Sequence, residues 1–105
     1  MSEFESVNVM KAANIYFDGN VSSRTVKFAD GSTKSLGIML PGVYQFGTEK
    51  PERMEILSGK LDVVLPGESD SLSFEGGQEF NVPGKSKFKV TVHEVTDYVC
   101  SYLDA

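Results

Sequence analysis

The chain has 105 residues, a formal net charge of -5, one cysteine and one histidine. This length accommodates one domain with a single hydrophobic core, and we expect residues 1–105 to form that one domain. The negative charge has the wrong sign for a surface that binds nucleic acid or an anionic membrane. The lone Cys100 excludes an internal disulfide and a multi-cysteine metal site.

The N-terminal segment, residues 1–13, is expected to be irregular. It begins MSEFESVNVM, which is acidic where a secretory signal would be basic, and no apolar run in the sequence approaches the length of a membrane span. We therefore expect a soluble, cytoplasmic protein with no membrane partner. Short helical turns fit only within residues 3–13 and 50–53, so we expect no long helix.

From residue 20 onward, apolar and polar side chains alternate over short runs. A period of two predicts β-strands with one buried face each. Glycine-containing turn signals such as Asp30-Gly31, Pro41-Gly42 and Pro83-Gly84 separate these runs. The pattern predicts an all-β barrel or double-sheet sandwich, a fold that often holds a small ligand inside. The predicted buried faces are Val26 and Phe28; Leu36, Ile38 and Leu40; Tyr44 and Phe46; Met54 and Ile56; Leu61, Val63 and Leu65; Phe80 and Val82; Phe88, Val90 and Val92; and Tyr98, Cys100 and Tyr102.

Two segments, ERMEILSG at 52–59 and GQEFNVPGKSKF at 77–88, resemble the two motifs of the cupin family. In that family a His-x-His pair precedes a glutamate that lies seven residues before a glycine, and Glu52 and Gly59 have this interval. The resemblance implies a cupin-type β-barrel of the jelly-roll kind. It also implies a homodimer, because cupins commonly pair through the edges of their sheets.

The metal-binding histidines of the cupin motifs have no counterpart in this chain. The final one is replaced by Phe88, and the positions of the pair carry Gln45 and Gly47 or Phe46 and Thr48. The single histidine, His93, is a poor metal site beside scattered carboxylates. We therefore expect no metal and no cofactor.

A narrower resemblance covers residues 14–103. The segments NIYFDGNV, GIMLPGVYQFGTEKPERMEILSGKLDVVLPG, FNVPGKSKF and YVCSYL closely resemble the small cupin family of pyrimidine/purine nucleoside phosphorylases. One position departs from the pattern, because Ser71 follows Asp70 where family members tend to have Trp. The resemblance implies an enzyme that converts a purine or pyrimidine nucleoside and inorganic phosphate into free base and pentose 1-phosphate.

Such a reaction must bind phosphate next to the sugar. Lys85 and Ser86, after the Pro83-Gly84 turn, offer a cation, a hydroxyl and backbone donors, and Arg24 or Arg53 offers a bidentate partner. We select Lys85, Ser86 and Arg24 as phosphate-binding candidates. The Lys85 turn also fits a solubilising hairpin beside an apolar strand.

The reaction must also stabilise positive charge on the sugar and hold the base. Glu52 is the candidate catalytic carboxylate, although a solvated acid in the turn EKPERME fits the sequence equally well. Tyr44, Phe46, Thr48 and Phe88 are the candidate substrate-binding residues, with core packing as the alternative for the aromatic ones. A second hypothesis is a cupin that binds a sugar or another small molecule without catalysis.

Overall fold

A computed structural model describes residues 2–104 of the chain. All of its strands pair in the antiparallel sense, and the one helical element in this range is a 3-10 turn at Phe17–Gly19. The predicted all-β fold without a long helix is therefore confirmed. No helix in the described range has the length and apolar character needed to cross a membrane. The strands are β1 Asn8–Val9, β2 Asn14–Tyr16, β3 Val21–Lys27, β4 Thr33–Met39, β5 Gly42–Thr48, β6 Glu52–Val64, β7 Leu72–Glu75, β8 Gln78–Val82 and β9 Ser86–Tyr102.

Two long strands, β6 and β9, run side by side through the centre of the molecule and belong to two sheets at once. The first half of β6 pairs with the second half of β9, and this pair continues through β4 to β3, with β8 on the other side. The second half of β6 pairs with the first half of β9, between β7 and β5. We call these the first sheet and the second sheet. Their arrangement confirms the predicted cupin-type double-sheet fold, although the described strands do not close into a complete barrel.

The change from one sheet to the other occurs where the β6–β9 register shifts, between Ile56 and Leu61. Gly59 lies in this region with a φ of 102°. A Cβ atom at Gly59 would lie 2.5 Å from the carbonyl oxygen of Val95 and 2.6 Å from Oγ1 of Thr96. Only glycine fits both this backbone conformation and this close approach. The structure therefore requires glycine at position 59, the residue that ends the cupin-like interval from Glu52 to Gly59.

The core lies between the two sheets and is formed by the predicted faces of β6, β8 and β9. The prediction that Leu36, Ile38 and Leu40 form a buried face is wrong. These three side chains are exposed, whereas Ser35 and Met39 of β4 point inward. Alternation gives the period of a strand but not the direction of each face. Here the interior beside β4 is a cavity with a partly polar wall, so Ser35 points inward together with Met39, while Leu36 and Ile38 point outward. The most buried side chains of this core are Val21, Met39, Ile56, Leu61, Val63, Val82 and Val90.

Candidate active site

A cavity of about 820 Å³ opens between the two sheets, and its walls differ in chemistry. The wall from the first sheet carries hydroxyl and amide groups, because short polar residues of β2, β3 and β4 face inward there. The opposite wall carries the rings of Phe46 and Phe88 from the second sheet. One face of the cavity can thus form hydrogen bonds and the other can stack on a flat ring. The polar side chains of the first wall are Asn14, Ser23, Thr25, Thr33, Ser35, Tyr98 and Tyr102.

The polar wall contains hydrogen bonds between neighbouring strands. Nδ2 of Asn14 donates to Oγ of Ser23 at 3.3 Å and to Oγ1 of Thr25 at 3.2 Å. The hydroxyl groups of Ser35 and Tyr102 lie 2.8 Å apart. Burial raises the pKa of Tyr102 to about 12, so its hydroxyl stays neutral near pH 7. The wall therefore presents uncharged donors and acceptors in fixed positions.

Glu52 begins β6 and is half-buried with its carboxylate in the cavity. Burial raises its pKa above the usual value, because the ionised form loses hydration. The thiol of Cys100, on the neighbouring strand, donates to Oε1 of Glu52 at 3.4 Å. Burial and the nearby Glu52 charge raise the pKa of Cys100, so the thiol stays neutral and is a poor nucleophile. Of the two, Glu52 is the group suited to act on a bound ligand.

The aromatic wall includes two predicted residues and one that sequence reasoning missed. The rings of Phe46 and Phe88 stack with centroids 5.5 Å apart. Phe17, in the 3-10 turn, meets Phe46 edge-on at 5.4 Å and also lines the cavity. Its φ of 51° is unusual for a bulky residue, and such conformations concentrate at functional sites. Nothing in the local pattern YFDGN points to a ligand, so Phe17 could not be selected from the sequence.

Tyr44 and Thr48 lie close to the cavity but do not line it. The Tyr44 hydroxyl donates to the carbonyl oxygen of Leu40 at 2.7 Å, and its ring is buried. Oγ1 of Thr48 donates to the carbonyl oxygen of Pro83 at 2.7 Å and accepts from the backbone N–H of Ser86 at 3.1 Å. Both hydroxyl groups therefore stabilise the surrounding chain.

The structure does not bring the three phosphate-binding candidates together. Lys85 and Ser86 line a separate shallow depression beside Thr48. The backbone N–H of Lys85 donates to the carbonyl oxygen of Glu49, and that of Ser86 to Thr48, so both predicted backbone donors are occupied. Arg24 lies on the outer face of β3, where its Nε donates to the carbonyl oxygen of Lys11 at 3.4 Å.

One cation does line the main cavity among the described residues, and it is Lys50. Lys50 was not among the predicted site residues, although it lies only two positions before Glu52 in the same turn. Arg53 alternates with Glu52 along β6 and is exposed on the other face. The cavity thus combines Lys50 with two carboxylates, Glu49 and Glu52.

His93 lies outside the cavity, on the surface of the second half of the β6–β9 pair. Its Nε2 is 2.9 Å from Oδ2 of Asp62, and the other carboxylate oxygen, Oδ1, accepts from the hydroxyl of Ser73 at 2.7 Å. Within residues 2–104, no group of three or more histidine, cysteine or acidic side chains could hold a metal ion.

Comparison with known proteins gives consistent matches over almost the whole chain. The family model described as "Pyrimidine/purine nucleoside phosphorylase" matches residues 11–102. A protein of that name from Hydrogenovibrio crunogenus is 61% identical over 104 residues, which is 99% of this chain and 100% of the relative. A solved structure of a protein of unknown function from Acinetobacter sp. ADP1 has a TM-score of 0.93 and 46% identity, covering 96% of this chain and 98% of that one. A cupin superfamily protein from Desulfitobacterium hafniense shares the fold at a TM-score of 0.64 and 10% identity, covering 100% of this chain and 84% of that one.

Proposed function

The chain belongs to the pyrimidine/purine nucleoside phosphorylase family, and we propose that it transfers the pentosyl group of nucleosides to inorganic phosphate. In this reaction the bond between C1′ and the base nitrogen breaks, and a bond between C1′ and a phosphate oxygen forms. The products are a free base, which takes up a proton, and a pentose 1-phosphate. The protein would thus be a pentosyltransferase that needs phosphate as co-substrate and no cofactor.

The contrast between the two walls of the cavity carries this proposal. A nucleoside has a flat, largely apolar base at one end and a sugar with several hydroxyl groups at the other. The rings of Phe46, Phe88 and Phe17 suit the base, and the hydroxyl and amide wall suits the sugar. Stacking on aromatic rings does not read the hydrogen-bonding edge of a base. This supports acceptance of both purines and pyrimidines.

Glu52 is the proposed catalytic residue. Positive charge develops on the sugar as the bond to the base breaks, and a nearby carboxylate stabilises it. The carboxylate of Glu52 is partly removed from water, which strengthens its attraction to such a charge. Because its pKa is raised, activity should decline on the acid side at a higher pH than an unperturbed glutamate would give.

The direct test is base release from uridine and from inosine, with phosphate, without phosphate, and with phosphate plus EDTA. We expect phosphate-dependent release of both bases that EDTA does not reduce. A protein that shows a nucleoside-dependent thermal shift but forms no product would instead be a binding protein. Loss of turnover in EDTA, with recovery on adding zinc or manganese, would contradict the proposal of a cofactor-free enzyme.

A pair of matched variants tests the role of Glu52. Glu52→Gln removes the charge and keeps the volume, and we expect turnover to fall by about 100-fold or more. Glu55→Gln makes the same change on the opposite face of β6 and should leave turnover unchanged. Equal turnover in the two variants would remove Glu52 from the mechanism.

We also propose that two copies pair through the outer face of β4. Three exposed apolar side chains, two on β4 and one just after its end, form a stripe between Arg24 on β3 and Asp97 on β9. A two-fold axis along β4 would bring the β3 side of one copy over the β9 side of the other, so Arg24 of one copy would lie near Asp97 of the other, offset by two residues along the strand. Ile38→Glu should then give a monomer in light scattering, whereas Val43→Glu, at an exposed apolar position on β5, should not. The stripe consists of Leu36, Ile38 and Leu40.

A further inference from the structure

We propose that Lys50 binds the phosphate co-substrate at one end of the cavity, with the hydroxyl groups of Thr33 and Tyr102 beside it. This inference rests on the phosphorylase activity proposed above and names the group that holds its second substrate. Neither the resemblance to the family nor the sequence pattern selected this residue. The sequence favoured the Lys85 turn, which lies in a different depression.

The charges around the cavity explain why bound phosphate would need a cation there. Near neutral pH inorganic phosphate is an anion, present in its singly and doubly charged forms, and it must approach a site that already contains the carboxylates of Glu49 and Glu52. Without a cation, this approach would be unfavourable. Lys50 is the one cation lining the cavity among the residues that the structure describes, so it is the group able to offset the repulsion.

The Lys50 side chain is available for this role. Its Nζ lies 4.0 Å from Oδ1 of Asp104, at the outer limit of a salt bridge, and both side chains are largely exposed to solvent. Exposed pairs of this kind contribute little to stability. The ammonium group can therefore leave Asp104 for a phosphate anion at little cost.

The strand register brings hydroxyl donors to the same end of the cavity. Glu52 lies opposite Tyr102 in the β6–β9 ladder, and Lys34 lies opposite Ser101 in the β4–β9 ladder. Thr33, which precedes Lys34, is therefore next to Tyr102 across the sheet. Both residues line the cavity, as does Lys50, which lies two positions before Glu52. A cation with neighbouring hydroxyl donors is the combination that binds phosphate oxygens.

Aromatic side chains lie at the opposite end of the cavity from Lys50. This arrangement suggests the order in which base, sugar and phosphate would lie along the cavity. Phe17 follows Tyr16, and Tyr16 pairs with Val21 at the far end of the β3–β4 ladder from Thr33. A base held near Phe17 and Phe46 and a phosphate held near Lys50 would lie on opposite sides of the sugar. Displacement at C1′ needs this order, because the incoming oxygen and the departing nitrogen occupy opposite faces of the carbon.

The test compares phosphate kinetics in three lysine variants. In Lys50→Met we expect the KM for phosphate to rise about tenfold or more, while the KM for uridine changes less than about threefold, since the lost charge contacts only phosphate. Lys50→Arg should restore most of the affinity. Lys89→Met removes an exposed lysine on the outer face of β9 and should match the wild type. Lys85→Met tests the rival site and should also match the wild type.

An unchanged phosphate KM in Lys50→Met, or a raised one in Lys85→Met, would overturn this proposal while leaving the phosphorylase activity intact. If the wild-type protein releases no base, the activity proposal fails instead, and the site is tested by calorimetric titration with inorganic phosphate. Binding to the wild type that is lost in Lys50→Met and regained in Lys50→Arg would support the site. Equal heats in the wild type and Lys50→Met would overturn it. Melting temperatures of each variant identify any that fail to fold.

Discussion

Gly37 is the position where the smallest substitution should have a large effect on stability. It lies in the middle of β4, opposite Tyr98 of β9 and Ser23 of β3. A Cβ atom at Gly37 would lie 2.5 Å from Cζ of Tyr98 and 2.5 Å from the carbonyl oxygen of Ser22. Normal contacts between such atoms are about 3.5–4.0 Å, so Gly37→Ala requires shifts of roughly 1 Å on both sides. The Ser22 oxygen belongs to the backbone of β3 and cannot move without distorting the sheet.

Overpacking of this kind costs about 1–3 kcal/mol of folding free energy. For a domain of this size, each kcal/mol lowers the melting temperature by about 4–8 °C, so we expect a decrease of roughly 5–20 °C. Urea or thermal unfolding followed by circular dichroism measures this effect. Gly47→Ala is the matched control, because its Cβ atom would meet only the carbonyl oxygen of Ser86, at 3.9 Å. If Gly37→Ala is as stable as Gly47→Ala, a Cβ atom at position 37 does not clash with Tyr98 and the β3 backbone, and the prediction is wrong.

Three further predictions concern the cavity and the core. Because burial raises the pKa of Glu52 in the folded protein, the ionised carboxylate opposes folding above that pKa, and this penalty disappears below the pKa of the unfolded chain. Glu52→Gln should therefore be more stable than the wild type at pH 8 but not at pH 4, and urea midpoints that differ equally at both values would contradict this. Cys100 should react with a thiol reagent in urea but not in the native protein, since its thiol is buried and neutral; rapid native labelling would show that it is accessible. Leu61→Ala removes a fully buried side chain and should cost about 2–5 kcal/mol, as measured by urea unfolding, whereas a loss below about 1 kcal/mol would mean that the core closes around the gap.

Much of the fold could be predicted from local sequence, because alternation and turn signals are properties of neighbouring residues. Alternation and turn signals identified six of the nine strands, β3 to β6, β8 and β9, and the inward faces of β6, β8 and β9. The spacing of Glu52 and Gly59 correctly indicated a cupin-type fold. The faces of β4 were assigned wrongly, because Leu36 and Ile38 are apolar yet cover the outside of the sheet. The short strands β1, β2 and β7 gave no clear alternation and were not predicted.

The candidate site was less predictable, because strand register assembles it from distant parts of the chain. Ser35 and Tyr102 are 67 residues apart in sequence, and nothing local shows that their hydroxyl groups meet. Phe46, Phe88 and Glu52 were selected because each belongs to a recognisable strand or motif. Lys50 was not, because a lysine in a turn is usually only a solvated charge.

The position of β9 in both sheets has a consequence for how the chain folds. Its 17 residues supply the partner that β4 and β5 need on one side and β6 on the other. Before β9 is added, the chain can form only hairpin-like pieces such as β3 with β4 and β6 with β7 or β8. Topologies dominated by such non-local pairing fold slowly, on the scale of milliseconds to seconds. During synthesis, both sheets would remain incomplete until β9 leaves the ribosome. Because their strand edges are unpaired during this time, the chain is then most prone to aggregation.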